Sequence, residues 1–200
     1  MLTEKNKKED LSFVHYAVEN IEDIDDVLVE RVYCRTHQQP IVIGENEELF
    51  LREFLMSDAK IIKTIYEEDK EGFLECFFDN EEEAEVYLKS YINNYYDFYG
   101  YGLWAICMKA TGEMMGMGGF SSRRNVFQKE EKEVMELGFA ILNKYQERGI
   151  ATQAVRVMLS YAEKNISGVS IYAKTKKNNV KAQKVLKKVG FIIEDGIWWH

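Results

Sequence analysis

The stretch EVMELGFAILNKYQERGIATQA, residues 133–154, decides the fold of this chain. Its apolar first half predicts a strand over Glu133–Leu142, and the segment after it predicts a helix over Gly149–Lys164. The turn between them, Gln146–Ala151, fits the pattern Q/R-x-x-G-x-G/A. Gly149 has no Cβ, so the main chain can bend sharply there and approach a ligand closely. The first N–H groups of a helix have no intrahelical partners, so this turn is a candidate phosphate site.

The composition is typical of one globular domain, or of one domain with an extension. The 200 residues are 46% apolar and include one proline. No apolar run reaches the roughly 18 residues that a membrane span requires, and the first ten residues, MLTEKNKKED, lack the apolar core of a signal peptide. The three cysteines and three histidines have no metal-type spacing. We therefore expect a cytoplasmic protein with reduced thiols, no membrane partner and no metal.

Charge is distributed unevenly along the chain. The net charge of −8 argues against a general nucleic-acid binder. Residues 1–145 carry 16 Lys and Arg against 30 Asp and Glu, whereas residues 146–200 carry 10 against 4. The basic segment, with a net charge of +6, suits a polyanionic cofactor. The acidic segment suits either a cationic acceptor or an ordinary solvated surface, and the sequence leaves both open.

The order of predicted elements indicates a mixed α/β chain. Residues 1–46 form an N-terminal extension in which Val27–Cys34 is a strand or a helix end. From residue 47 onward the pattern predicts a strand, one or two helices, three strands, a helix, a strand, a helix and two strands. The second helix, after Asn80 or Asp79, is EEEAEVYLKSYINNYYDFY. Asp195-Gly196 between apolar runs predicts a two-residue hairpin at the end.

A second motif follows the glycine turn by about 28 residues. Residues 179–191 have the pattern N-x-x-A at the start of a predicted helix that ends in Gly-Phe. The chain contains no G-x-x-x-x-G-K-[ST] and no G-x-G-x-x-G. Nucleotide hydrolysis and dinucleotide redox chemistry therefore lack their motifs.

Together, the turn at 146–151, the helix at 179–191 and the order of elements resemble the GNAT superfamily of acyl-CoA-dependent N-acetyltransferases over about residues 47–200. GLWAICMKATGEMMGMGGF at 102–120 and MELGFAI at 135–141 look most like its RimJ/RimL-type group. That group includes acetyltransferases of ribosomal-protein amino termini, and its members also acetylate small amines and antibiotics. The resemblance implies an α+β fold with a mostly antiparallel central sheet flanked by helices.

The resemblance also implies acetyl-CoA as co-substrate and assigns residues to it. The predicted strand around residues 139–142 would splay from its neighbour, the strand at 169–175, and offer backbone groups to the pantetheine arm. The turn would hold the pyrophosphate, and a helix asparagine would bind near the thioester. A helix lysine would meet a CoA phosphate, or be a solvated lysine. The strand residues are Phe139, Ala140, Ile141 and Leu142. The turn residues are Gln146, Glu147, Arg148, Gly149, Ile150, Ala151 and Thr152. The helix asparagine is Asn179, and the helix lysine is Lys184.

Glu136 is the candidate catalytic base, because it lies on the strand before the turn at the position similar to the family's catalytic glutamate. An amine is cationic near neutral pH, so a base must take its proton before it attacks the thioester, directly or through water. The alternative is that Glu136 is an exposed strand residue that balances nearby lysines.

Two departures from the family pattern affect the acid and the acceptor. Many GNAT enzymes carry a tyrosine acid where this chain has Leu186, and the RimJ/RimL-type group often has serine where this chain has Ala182. Either the thiolate leaves without an acid or a tyrosine such as Tyr172 serves. The short final hairpin predicts that part of the acceptor site comes from residues 11–45 or from a second subunit, so the protein is a monomer or a homodimer.

The sequence therefore predicts an N-acetyltransferase that acts on a protein N-terminus, a polyamine or an aminoglycoside-like amine in a ternary complex. The alternative is a GNAT-like module that binds CoA as a sensor or scaffold without turnover. The acceptor itself is not readable, because acceptor pockets arise from variable loops and helices.

Overall fold

The computed structural model describes residue 18 and residues 20–37, 39–69, 78–123, 134–166, 168–194 and 196–200. The chain divides into two compact units, Met1–Ile41 and Val42–His200. In the first unit, a 3₁₀ turn at Ile21–Asp23 precedes helix α1, Asp26–Thr36. The Leu28 N–H donates to Asp25 Oδ1 at 2.7 Å and so caps the helix. The segment predicted as a strand or a helix end is therefore helical.

Within the described residues, the second unit is built on an eight-stranded sheet in the order β1-β2-β3-β4-β5-β6-β8-β7. Every neighbouring pair is antiparallel except β5 and β6. The mixed, mostly antiparallel sheet predicted from the sequence is confirmed. The strands are β1 Val42–Glu45, β2 Leu49–Arg52, β3 Leu103–Met108, β4 Met114–Arg123, β5 Val134–Ile141, β6 Ser170–Ala173, β7 Ile192–Glu194 and β8 Ile197–Trp199. β1 lies in the segment that the sequence assigns to the extension, and it pairs with β2.

Helices connect these strands and bury one face each against apolar residues. Helix α5 buries Val155 and Met158, which repeat at helical spacing. It packs closely on β4, because a Cβ on Gly118 would lie 2.7 Å from Met158 Cε. The helices are α2 Ala59–Glu68, α3 Glu81–Ser90, α4 Tyr96–Tyr99, α5 Ile150–Asn165 and α6 Val180–Lys188.

A π-helical turn, Tyr91–Tyr95, joins α3 to α4 and brings two buried tyrosines to the start of β3. The Leu103 N–H donates to the Tyr91 hydroxyl at 2.6 Å, and the Tyr96 hydroxyl donates to the Leu103 carbonyl at 2.5 Å. The Phe54 N–H donates to the same Tyr96 hydroxyl at 3.1 Å. These tyrosines therefore tie α3 and α4 to the sheet as core residues.

A buried ion pair fixes the passage from β2 into α2. Arg52 donates from Nη1 to Asp58 Oδ2 at 2.7 Å and from Nη2 to Asp58 Oδ1 at 2.9 Å. The Leu55 N–H also donates to Asp58 Oδ2, at 2.8 Å. A buried charge is tolerated when it is paired and hydrogen-bonded. This ion pair therefore fixes the backbone conformation of the connection between β2 and α2.

Candidate active site

A cleft opens where β5 and β6 diverge. Among the described residues, β6 pairs with β5 only at Val134–Glu136, opposite Ser170–Tyr172. Beyond this contact lies a cleft of about 430 Å³, lined by Leu137–Phe139, Ala173–Lys176 and residues of α6. Alternate residues of an antiparallel strand direct their N–H and C=O groups to opposite edges. The cleft edge of β5 therefore offers main-chain groups that β4 does not take.

Glu136 and Tyr172 meet at the closed end of this cleft. They are register partners in the last pair that joins the two strands. The Tyr172 hydroxyl donates to Glu136 Oε2 at 3.0 Å. Tyr172 is buried and Glu136 is half-buried. The hydrogen bond therefore orients a carboxylate whose own strand forms the wall of the cleft.

The turn after β5 leads into α5 and is linked to α6, a helix that lines the cleft. Glu147 and Gly149 both adopt left-handed backbone conformations, with φ of 63° and 81°. The first intrahelical bond of α5 runs from the Gln153 N–H to the Gly149 carbonyl at 3.1 Å. The N–H groups of residues 150–152 precede that bond and have no partner within the helix. Such a helix start is a site for an anion.

Gln146 and Lys181 join this turn to β5 and α6. The Gln146 side-chain amide donates to the Ile141 carbonyl at 3.0 Å. The Lys181 ammonium donates to Gln146 Oε1 at 3.2 Å and lies 2.9 Å from Glu147 Oε1. The hydrogen bond from Lys181 holds the pKa of Glu147 below its ordinary value, and the charge of Lys184 acts in the same direction. The turn and the cleft are thus parts of one site.

Asn179 has two features that suit a binding residue. It is the N-cap of α6, because the Ala182 N–H donates to its Oδ1 at 3.0 Å. It is half-buried and lines the cleft. The cap therefore holds the carboxamide of this cleft-lining residue in place.

The cleft and the glycine turn lie in a segment that matches a known protein family. Residues 48–192 match the family described as Acetyltransferase (GNAT) domain. This chain belongs to the GNAT acetyltransferase family. The match includes the glycine turn, all of α6 and the cleft-lining residues except Gly196 and Ile197.

Known proteins similar to this GNAT domain include one curated relative and many solved structures. YjdG of Bacillus subtilis (strain 168), named as an uncharacterized N-acetyltransferase, is 28% identical over 94 residues, 47% of this chain and 53% of YjdG. The chain therefore spans about half the length of this curated relative.

Two solved structures share the fold at lower identity. RimL, a ribosomal L7/L12 alpha-N-protein acetyltransferase in complex with coenzyme A, has a TM-score of 0.62 at 15% identity, over 80% of this chain and 97% of RimL. A mutant form of the spermidine/spermine N-acetyltransferase SpeG of Vibrio cholerae has a TM-score of 0.58 at 16% identity, over 74% of this chain and 82% of SpeG.

Within the GNAT domain, Phe139 and Asn179 are the predicted cofactor residues that line the cleft, and residues 146–152 form the turn that leads into α5. Phe139 lines the cleft and is half-buried. Ala140 and Leu142 are buried, and the Leu142 N–H donates to the Met115 carbonyl at 3.0 Å. Arg148 is exposed, with its guanidinium carbon 5.8 Å from the ring centroid of Tyr145.

Sequence reasoning missed several residues of the site. Lys174, Thr175 and Lys176 line the cleft, and Lys181 links α6 to the turn. The basic character of residues 146–200 was the available signal for these lysines. Lys181 also precedes Lys184 by three residues, so both lie on one face of the helix.

No group of three or more His, Cys, Asp or Glu that could hold a metal ion occurs within the ranges that the structure describes. The helices of those ranges also include none that is long and apolar enough to cross a membrane.

Proposed function

We propose that this protein is an acetyl-CoA-dependent N-acetyltransferase that transfers an acetyl group to a primary amine. One observation carries the proposal: β5 and β6 separate after the Glu136–Tyr172 pair, and the cleft between them is lined by α6, which Lys181 links to the glycine turn. A base, an extended groove with a main-chain edge and a helix start for phosphate therefore lie in sequence along one site.

The residues of the site fit acetyl-CoA. The main-chain edge of residues 137–141 would bind the amides of the pantetheine arm, and the N–H groups of residues 150–152 would bind the pyrophosphate. Asn179 would bind near the thioester. The cations of Arg148 and Lys184 are exposed near the turn, where they suit the remaining phosphate charge. The co-substrate would supply an activated acetyl group at the Glu136 end of the cleft.

Glu136 would act as general base. The acceptor amine must lose a proton to attack, and the Glu136 carboxylate would accept it, directly or through a water molecule. The hydrogen bond from Tyr172 would keep that carboxylate aimed at one position. Placement of the amine against the thioester, and main-chain donors near the reacting carbonyl, would provide the rest of the rate enhancement.

The helix α6 offers no acid for the departing thiolate at the expected positions. Leu186 and Ala182 both line the cleft, and neither side chain carries a proton to give. A thiol has a modest pKa, so its thiolate is a good leaving group without protonation. Tyr172 is then a positioning residue for Glu136.

The proposed acceptor is a cationic amine, either a protein N-terminus or a small amine such as a polyamine or an aminoglycoside. RimL is named for a ribosomal protein and SpeG for spermidine and spermine. Asp69 lines the cleft, and residues 1–145 carry a net charge of −14, which would attract either class. The cytoplasmic location, the monomeric or dimeric state, and a contribution of residues 11–45 or a second subunit to the acceptor site all stay predictions.

The test is free-thiol release from acetyl-CoA with a panel of amino-terminal peptides, polyamines and aminoglycosides. We expect the wild-type protein to release thiol with at least one class. Glu136→Gln should lower kcat/KM for that amine by about 10²- to 10⁴-fold, because general-base catalysis is lost. The affinity for CoA, measured by calorimetry, should stay unchanged.

Glu163→Gln is the matched control, since Glu163 is an exposed glutamate of α5. It should retain full activity. Unchanged activity of Glu136→Gln would remove Glu136 from the mechanism. CoA binding without thiol release on any amine would favour the non-catalytic CoA-binding module instead.

A further inference from the structure

Thr175 carries a hydroxyl that the described structure leaves without a partner. Its Oγ1 is fully buried, and no hydrogen bond to it exists in the described part of the chain. Other threonine hydroxyls behave differently: Thr36 donates to the Val32 carbonyl at 2.7 Å, and Thr64 donates to the Lys60 carbonyl at 3.0 Å. A buried hydroxyl without a partner destabilises the folded state, so its presence requires a reason.

The position of Thr175 supplies a reason. It lines the cleft three residues after Tyr172, the last residue of β6 that pairs with β5. It therefore lies where the two strands have already separated. Asn179 follows it by four residues and lines the same cleft.

The chemistry of the hydroxyl matches what must occupy this part of the cleft. The pyrophosphate is assigned to the turn at 146–152 and the reacting thioester to the Glu136 end. The segment between them would hold the pantetheine arm, which contains two amides. A threonine hydroxyl can donate to an amide carbonyl or accept from an amide N–H.

We propose that the Thr175 side chain turns about χ1 when CoA binds, that its hydroxyl then bonds an amide of the pantetheine arm, and that the free protein keeps this hydroxyl buried and unsatisfied. This inference rests on the proposed function, because it requires CoA in the cleft. It assigns to a side chain a recognition role that the main-chain edge of β5 cannot fill from the opposite wall.

Removal of the Thr175 hydroxyl should raise the stability of the free protein and lower its affinity for CoA. Thr175→Val keeps the branched shape and removes the hydroxyl. The free protein loses an unsatisfied buried group, so its melting temperature should rise by about 2–4 °C. The CoA complex loses a hydrogen bond, so its Kd should increase about tenfold. Thr175→Ser keeps the hydroxyl and should retain the wild-type affinity within about threefold.

The experiment combines thermal unfolding of the free protein with calorimetry on two ligands. CoA is compared with 3′-phospho-ADP, which is CoA without its pantetheine arm. Thr175→Val should weaken CoA and leave 3′-phospho-ADP unchanged. Equal CoA affinities of wild type and Thr175→Val would overturn the inference while leaving the proposed function intact, and so would an equal loss for both ligands. A lower melting temperature for Thr175→Val would also overturn the inference, since it would show that the hydroxyl makes a structural hydrogen bond in the free protein. Failure of the wild-type protein to bind CoA would overturn the proposed function as well.

Discussion

The hydrogen bond from Tyr172 restricts the orientation of the Glu136 carboxylate. Glu136 is half-buried on β5, and an unrestrained carboxylate there would sample several rotamers. The buried Tyr172 is fixed by its neighbours, with its ring centroid 5.6 Å from that of Trp199. A rigid donor therefore limits the positions of the Glu136 carboxylate.

Tyr172→Phe tests this role, because it removes the hydroxyl and keeps the ring. We expect kcat/KM for the amine to fall about 10- to 100-fold, the size associated with a hydrogen bond to a charged group. The affinity for CoA should be unchanged. Steady-state thiol release and calorimetry measure these two quantities.

Tyr161→Phe is the control for that variant. The Tyr161 hydroxyl donates to the Gly100 carbonyl at 2.9 Å, so the change also removes a tyrosine hydrogen bond. Tyr161 lies on α5 outside the cleft lining, and its variant should keep full activity. Wild-type activity in Tyr172→Phe would show that Glu136 needs no orientation from Tyr172.

Residue pairs such as Glu136 and Tyr172 were not predictable from the sequence. Glu136 was selected by its position before the glycine turn. Tyr172 lies 36 residues further along, across a helix, and the register of a parallel strand pair leaves no local pattern in a sequence. The role proposed for Thr175 was not predictable for a similar reason, since the structure is needed to show that its hydroxyl is buried without a hydrogen-bond partner.

At the scale of elements, the glycine turn is the part of the site with the strictest backbone requirement. Gly149 has φ of 81°, and a Cβ built there would meet no atom within 4 Å. Space is therefore available for a side chain, and the left-handed conformation alone demands glycine. The direction of the N–H groups that follow depends on that conformation.

Gly149→Ala separates backbone strain from ligand binding when it is compared with Gly112→Ala. Gly112, in the turn between β3 and β4, has φ of 73° and also has open space at its Cβ. Both variants should lose about 1–2 kcal/mol of unfolding free energy in urea, because each places alanine in a left-handed conformation. Only Gly149→Ala should weaken CoA binding, by calorimetry. Equal CoA affinities for the two variants would contradict a phosphate seat at residues 146–152.

Most elements could be predicted, but a local irregularity in one helix could not. The sequence predicts a single helix after Asn80, whereas a π-helical turn interrupts it at Tyr91–Tyr95. In a regular α-helix, Tyr91 and Tyr96 would point about 140° apart. The wider turn lets both hydroxyls reach Leu103. The sequence does not reveal this π-helical turn, because its run of tyrosines would place an aromatic residue on the buried face with or without the extra residue.

At the scale of the whole molecule, buried acidic groups make stability depend on alkaline pH. Burial raises the pKa of Tyr91 and of Tyr96, and it raises the pKa of Cys107 from 9.0 to about 11. In the folded protein these groups hold their protons to higher pH than in the unfolded chain. Their contribution to stability is fully present below about pH 9 and is lost as the pH rises through the folded pKa values.

We therefore expect the free energy of unfolding to be flat between about pH 7 and 8.5 and to fall steadily from about pH 9 to 11. Urea unfolding at each pH measures it. Cys107→Ala removes one of the three groups and should give a shallower decline over that range. An identical slope for this variant and the wild-type protein would show that the Cys107 thiol titrates alike in both states.

The architecture was predictable from the order of elements. The divergence of β5 from β6 was expected from the family resemblance, but the sequences of the two strands do not themselves show it. Short turns between apolar runs, Ala110-Thr111-Gly112 and Asp195-Gly196, indicate strands β3 and β4 and strands β7 and β8, and their neighbours follow from short connections. The divergence of β5 and β6 is a matter of register and length, since β6 is four residues long and pairs at three positions. No pattern in either strand records where pairing stops.

The main-chain edge of β5 has a consequence for how this protein tolerates neutral drift during evolution. Every residue except proline presents the same N–H and C=O groups, so substitutions over residues 137–141 leave these binding groups in place if the strand persists. Selection on co-substrate binding would then act on backbone conformation more than on side-chain identity. If this edge binds acetyl-CoA as proposed, the acceptor preference can change while the acetyl-donor site is retained.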